Sequence, residues 1–144
     1  MSDENRALPK RWFDEVWNEG RAEAIDEMFP AHGIAHGLGP SGRDLRGPQE
    51  FKIFHKTFRG AFPDIHITVD DVVCEGDKVA ARFSGWGTHL GANLGIAPTK
   101  RRVVFAGMTI LRVEKGRIQE AWNNFNLWEV MEQLGVVQPL RIVG

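Results

Sequence analysis

Between Asp64 and Asn126 the chain is written as two long hairpins, and this constrains the fold more than any other feature. The first, DIHITVDDVVCEGDKVAARFSGWGTHL, holds two extended runs rich in Val, Ile and Phe, joined at Glu75-Gly76-Asp77. The second, KRRVVFAGMTILRVEKGRIQEAWNNFN, turns at Glu114-Lys115-Gly116. Successive runs joined by such short turns pair antiparallel and form a meander. The segment between the hairpins, GANLGIAPTK, is too glycine-rich for a strand and is placed where it could rim a cavity.

The chain before the hairpins has helical periodicity. Leu8, Trp12 and Val16, flanked by Phe13 and Trp17, make one wide apolar face. Pro9 suits a first turn, so the spacing predicts a helix starting near Ala7 or Leu8. A second, short stripe of Ile25, Met28 and Phe29 ends at Pro30. Residues 31 to 47 are glycine-rich and polar, with room for one short strand around Ile34 to His36. A third helix opens at Gly47-Pro48, carries Phe51, Phe54 and Phe58 on one face, and has Gly60 as its stop residue. The last helix is Leu127 to Leu134, closed by Gly135. Helices followed by a long curved antiparallel sheet describe an α+β fold. All 144 residues fit one domain. A sheet bent around helices leaves a conical space, and the pocket inside it is the default binding site.

Composition removes several function classes. The 18 basic and 19 acidic side chains nearly cancel, and no basic block with interleaved aromatics marks a nucleic-acid surface. No apolar run reaches the ~18 residues needed to cross a bilayer. The charged start, MSDENRALPKRW, lacks the apolar core of a signal peptide, so the expectation is a soluble, cytoplasmic protein. The single cysteine, Cys74, allows no internal disulfide, and no histidine pair has metal-ligand spacing. With no tyrosine in the chain, no phenol can serve as acid or oxyanion donor.

Several stretches, in this order and spacing, resemble the SnoaL-like polyketide cyclases of the nuclear-transport-factor-2-like superfamily: FDEVWNEGRAEAIDEMF, AFPDIHITVDDVVCEGDKVAARF, GTHLGANLGIAPTKRRV, GRIQEAW and QLG. The resemblance runs from about Arg6 to Gly135. It implies a cone-shaped barrel, N-terminal helices packed on a curved, mixed but mostly antiparallel sheet. It also implies aldol-type cyclisation or isomerisation without a cofactor, an apolar carbonyl compound as ligand, and a homodimer formed through the open face of the sheet. Members of the family place an acid/base aspartate four residues after the tryptophan of the G-x-I-x-E-x-W motif. Counted from Trp122, that position holds Asn126.

The site candidates follow from these readings. If Trp122 faces the cone, strand parity sends Asn124 and Asn126 there too. An amide has no pKa in a useful range, but it can donate to a ligand carbonyl. Asn126 followed by Glu129 also fits a helix cap, so both roles stand. His36, matching a histidine common in the family, and His89, beside the glycine-rich loop, are the candidates for moving a proton. Trp17, His55, Trp86 and Trp122 join Asn124 as candidate ligand contacts. Structural roles compete for each: loop anchor for His89, core boundary for His55, plain core for the tryptophans. Two functions stand side by side: a cofactorless cyclase-like enzyme, and a non-catalytic small-molecule-binding module that lost the acid at position 126.

Overall fold

The computed structural model describes residues 2–143. Its elements run α1 (Ser2–Trp12), a π-helical turn (Phe13–Asn18), α2 (Ala22–Met28), β1 (Ile34–His36), a 3-10 turn (Pro40–Gly42), β2 (Leu45–Arg46), α3 (Gly47–Ala61), β3 (His66–Glu75), β4 (Lys78–Thr88), β5 (Arg102–Glu114), β6 (Arg117–Phe125) and α4 (Leu127–Leu134). The first helix begins five or six residues before the expected start, and Pro9 lies inside it. Asp3 and Glu4 in its first turn favour the helix dipole there. The switch to π geometry after Trp12 brings Phe13, Val16 and Trp17 together as buried residues. Helix α2 presents Ala24, Ile25 and Met28 to the core and ends before Pro30, whose ring disfavours helical backbone at Phe29.

The third helix runs through Gly60 and stops at Ala61, one residue past the expected glycine stop. Pro48 sits in its first turn, and the Glu50 carboxylate accepts from the Arg46 N–H at 2.8 Å, meeting one end-of-helix demand. Phe51 is buried, while Phe54 and Phe58 are half-buried on the same face.

The six strands form one open sheet in the order β2-β1-β6-β5-β4-β3. The neighbours pair antiparallel except β1 with β6, which are parallel, Ala35 facing Ala121 and His36 facing Trp122. Lys115 and Gly116, both at positive φ, make the tight turn between β5 and β6 that fits the right-handed twist of the strands. Two registers slip by one residue: Asp70 is extra on β3 and Gln119 is extra on β6. Such bulges bend a strand and reverse which face its later side chains take. The helices cover the concave face, where Ile67, Val79, Phe83, Val103 and Leu111 join Trp12, Phe29 and Phe51 in one apolar core. The result is an α+β cone.

Candidate functional site

The cone holds a cavity of about 100 Å³. Its wall is built from the aromatic stripes of the helices (Trp12, Phe13, Trp17, Phe51, Phe54, Phe58) and the inward residues of the sheet. The rings pack edge to face: Phe51 lies 5.1 Å from Trp12 and Trp17 lies 5.9 Å from Phe54, centroid to centroid. None of the wall residues is ionisable.

The polar groups inside are Thr109 and Asn123, cross-strand partners on β5 and β6. The Thr109 hydroxyl donates to Asn123 Oδ1 at 2.8 Å, and Asn123 Nδ2 donates to the His36 carbonyl at 3.0 Å. An amide nitrogen carries two N–H groups, so one donor of Asn123 is left over. Besides this pair the wall is aromatic and aliphatic, its other polar side-chain groups being the indole N–H of Trp12 and of Trp17 and the amide of Asn124, which is mostly exposed.

The parity expectation for β6 does not hold. The bulge at Gln119 moves Ala121, Asn123 and Phe125 to the concave side and turns Glu120 and Trp122 outward. Trp122 is 38% exposed and stacks on the His36 ring at 5.7 Å, on the convex face of the sheet. Asn126 lies beyond the strand, exposed, as the cap of α4: its Oδ1 accepts from the Glu129 N–H at 3.1 Å and its Nδ2 donates to the Glu129 carboxylate at 2.5 Å. It is not among the cavity-lining residues. Gly135, at φ +79°, closes the same helix.

The histidines are all engaged elsewhere. His36 alternates with the cavity-lining Ala35 and points to the convex side, where Nδ1 meets Asp44 Oδ1 at 2.8 Å and Nε2 meets Glu120 Oε2 at 2.6 Å. The hydrogen bond to Glu120, then that to Asp44, raise its pKa above the ordinary histidine value. Arg112 joins from the far side of Glu120 at 3.6 Å. His55 is buried behind Trp17, with Nε2–H donating to the Val16 carbonyl at 2.6 Å, and burial lowers its pKa. His89 is fully buried at the foot of the glycine-rich loop; its Nδ1 accepts from the Thr99 N–H at 3.0 Å, while Nε2 finds no partner among the described residues. His66 lies beside Trp86 on the convex face, and His32 meets Gln119 at 2.5 Å. Trp86 itself carries the Arg102 guanidinium 4.2 Å above its ring.

Of the residues singled out from the sequence, the structure brings Trp17 and Asn124 to the cavity wall. It sends His36, Trp86 and Trp122 to the outer face, and His55, His89 and Asn126 to structural partners. Sequence reasoning passed over Thr109 and preferred Asn124 and Asn126 to the neighbouring Asn123. A usable signal was present: Thr109 is the polar member of the alternating set Val103, Thr109, Leu111 and Val113 that faces inward.

Comparison with known proteins places this geometry among relatives. The aklanonic acid methyl ester cyclase DnrD of Streptomyces peucetius is 24% identical over 107 residues, 74% of each chain. IdmH of Streptomyces antibioticus superposes with a TM-score of 0.79 at 28% identity, over 91% of this chain and 98% of its own. TsrD of Streptomyces laurentii gives a TM-score of 0.81 at 25% identity, over 95% and 98%. The fold is therefore shared with these solved structures. Since the family model for SnoaL-like polyketide cyclases matches residues 7–134, the chain belongs to that family.

Proposed function

We propose that the cone receives an apolar, carbonyl-bearing, polyketide-like compound and promotes ring closure in it without a cofactor, with Asn123 and Thr109 holding the reacting carbonyl. The observation that carries this reading is the Thr109–Asn123 pair, polar and half-enclosed in a wall with no ionisable side chain. In an aldol-type closure an enolate carbon attacks a carbonyl carbon, and the carbonyl oxygen takes up the negative charge. The spare N–H of Asn123 is placed to donate to that oxygen, and a preorganised donor in apolar surroundings is worth more there than in water. The amide cannot carry the proton, so protons pass between substrate and water, and the protein contributes orientation and oxyanion stabilisation.

A second reading, a binding module without turnover, is favoured by one observation: none of the five histidines lines the cavity. One experiment separates the two. Aklanonic acid methyl ester and simple ring ketones are screened for binding by thermal shift, and ligands that bind are followed for cyclised product. Binding and turnover that both fall at least tenfold in Asn123→Ala, but survive Asn126→Ala, support the cyclase-type reading. Binding without product supports the module. Unchanged binding in Asn123→Ala refutes both uses of that residue.

The same reading includes a homodimer. Val104, Met108, Ile110 and Trp122 leave an apolar patch on the convex sheet face, with Met108 62% exposed. A second copy covering it face to face would bury the patch. Sedimentation should show a dimer for wild type and a monomer for Met108→Lys; a wild-type monomer at high micromolar concentration counts against it.

A further inference from the structure

The inner cavity, about 100 Å³, is no larger than an engineered cavity of roughly 150 Å³ known to take benzene. It holds about one ring. Outside it lies a groove of about 660 Å³ between the Gly37–Leu45 loop, the outer side of α3 and the start of α4. Leu38, Phe54, Phe58 and Phe125 line both spaces and form the wall between them. Phe54 and Phe58 lie 4.7 Å apart, and Phe125 stands edge-on to Phe58 at 6.2 Å. Asn123 is next to this wall, between Phe125 in sequence and the His36–Leu38 backbone in space.

The charges along the groove are unequal in their engagement. Asp44 is held by His36 and Arg46, and Glu50 accepts from the Arg46 N–H. Arg43 is the one cationic side chain among the groove's described residues. It is exposed, and its guanidinium makes no hydrogen bond or ion pair with any described residue. Its backbone carbonyl accepts from the Gly39 N–H at 3.0 Å, which keeps it beside Leu38 at the mouth.

We infer that the cavity and the groove are two compartments of one ligand site, entered past Phe58 and Phe125, and that Arg43 selects compounds with a carboxylate at the end left in the groove. The ligand class is then an aryl or polyketide acid: one ring enters the cone, its carbonyl meets Asn123, and the acidic arm stays outside on Arg43. A guanidinium suits this role because its planar fork matches a carboxylate. The inference deepens the carbonyl-binding reading above and rests on it.

Anthraquinone-2-carboxylate and its methyl ester are suitable probes, because they share the ring and its carbonyls and differ in the charge. Titration followed by tryptophan fluorescence reads their affinities. Wild type should bind the acid about five-fold more tightly than the ester, as expected for a largely exposed ion pair. Arg43→Gln should erase that preference and leave the ester affinity in place. Phe58→Ala should speed association of both compounds several-fold by thinning the wall. Equal affinities in wild type, or a preference that survives Arg43→Gln, overturn the assignment of Arg43. An association rate unchanged by Phe58→Ala overturns the shared entry. An Asn123→Ala variant with full affinity for both probes would refute the carbonyl contact instead, while the acid-over-ester preference stands. Failure of both probes to bind wild type overturns the two readings together.

Discussion

Exchanging asparagine for aspartate at positions 123 and 126 separates the two residues that the sequence makes look alike. In Asn123→Asp the donor to the His36 carbonyl is lost, and a carboxyl group enters a wall that is otherwise apolar except for Thr109. Losing the hydrogen bond costs about 1 kcal/mol. Half-burial raises the new carboxyl pKa by roughly two units, and at about 1.4 kcal/mol per unit this adds about 3 kcal/mol once the group is ionised. Because the folded pKa is raised, full stability is present below the unfolded value of about 3.9 and is lost as pH rises through the folded pKa. The protonated acid can still donate to the His36 carbonyl, so the variant at pH 4 should be within about 1 kcal/mol of wild type. At pH 8 it should lose about 4 kcal/mol, roughly 12 °C in Tm for a chain of this size. Asn126→Asp keeps an equally good helix cap and should change stability by less than about 1 kcal/mol at either pH, the nearby Glu129 offsetting the dipole gain. Urea unfolding at the two pH values reads both variants. If Asn126→Asp shows the pH-dependent loss and Asn123→Asp does not, the placement of Asn123 inside the cone is wrong.

Two further outcomes follow from the packing. His36 contributes stability that is complete below about pH 6.5 and fades as pH rises through its elevated folded pKa; Glu120→Gln should lower that pKa in an NMR titration, and an unchanged midpoint would remove Glu120 as its main cause. His55 works in the opposite sense, its contribution complete above about pH 6.5 and lost as pH falls, so the two partly cancel in a global pH profile and should be resolved ring by ring. Phe51→Ala removes a ring packed against Trp12, Trp17, Phe29 and Phe54 and should cost about 3–5 kcal/mol by denaturant unfolding while enlarging the cavity beyond the space of one ring; a loss under about 1 kcal/mol would mean that the stripe collapses on itself.

The local signals in the chain were sufficient for its elements. The Phe51, Phe54, Phe58 stripe, the Lys115-Gly116 turn and the Asn126 to Gly135 frame of α4 are each set by chemistry within a few residues, and each appears where the sequence places it. The short helix ahead of Pro30 and the strand at Ile34–His36 follow from the same local rules. The exceptions are also local in origin: the extension of α1 to Ser2 rests on an acidic first turn, and Gly60 is carried inside α3 because Ala61 can still pack.

What the sequence could not supply is the face each strand presents. A single extra residue, Gln119, reverses the parity of β6, so Asn123 turns into the cone beside the mostly exposed Asn124, while Asn126 lies outside it. No local pattern marks a bulge of this kind, because it is set by how β6 must bend to pair with β5 on one side and β1 on the other. The same long-range pairing turns His36 away from the cavity and onto Glu120, 84 residues distant. Sequence by itself determined the helices, the hairpins and the family of the cone; the tertiary pairing alone decided which polar side chains stand inside it, because side-chain direction in a strand depends on a register that neighbouring residues do not encode.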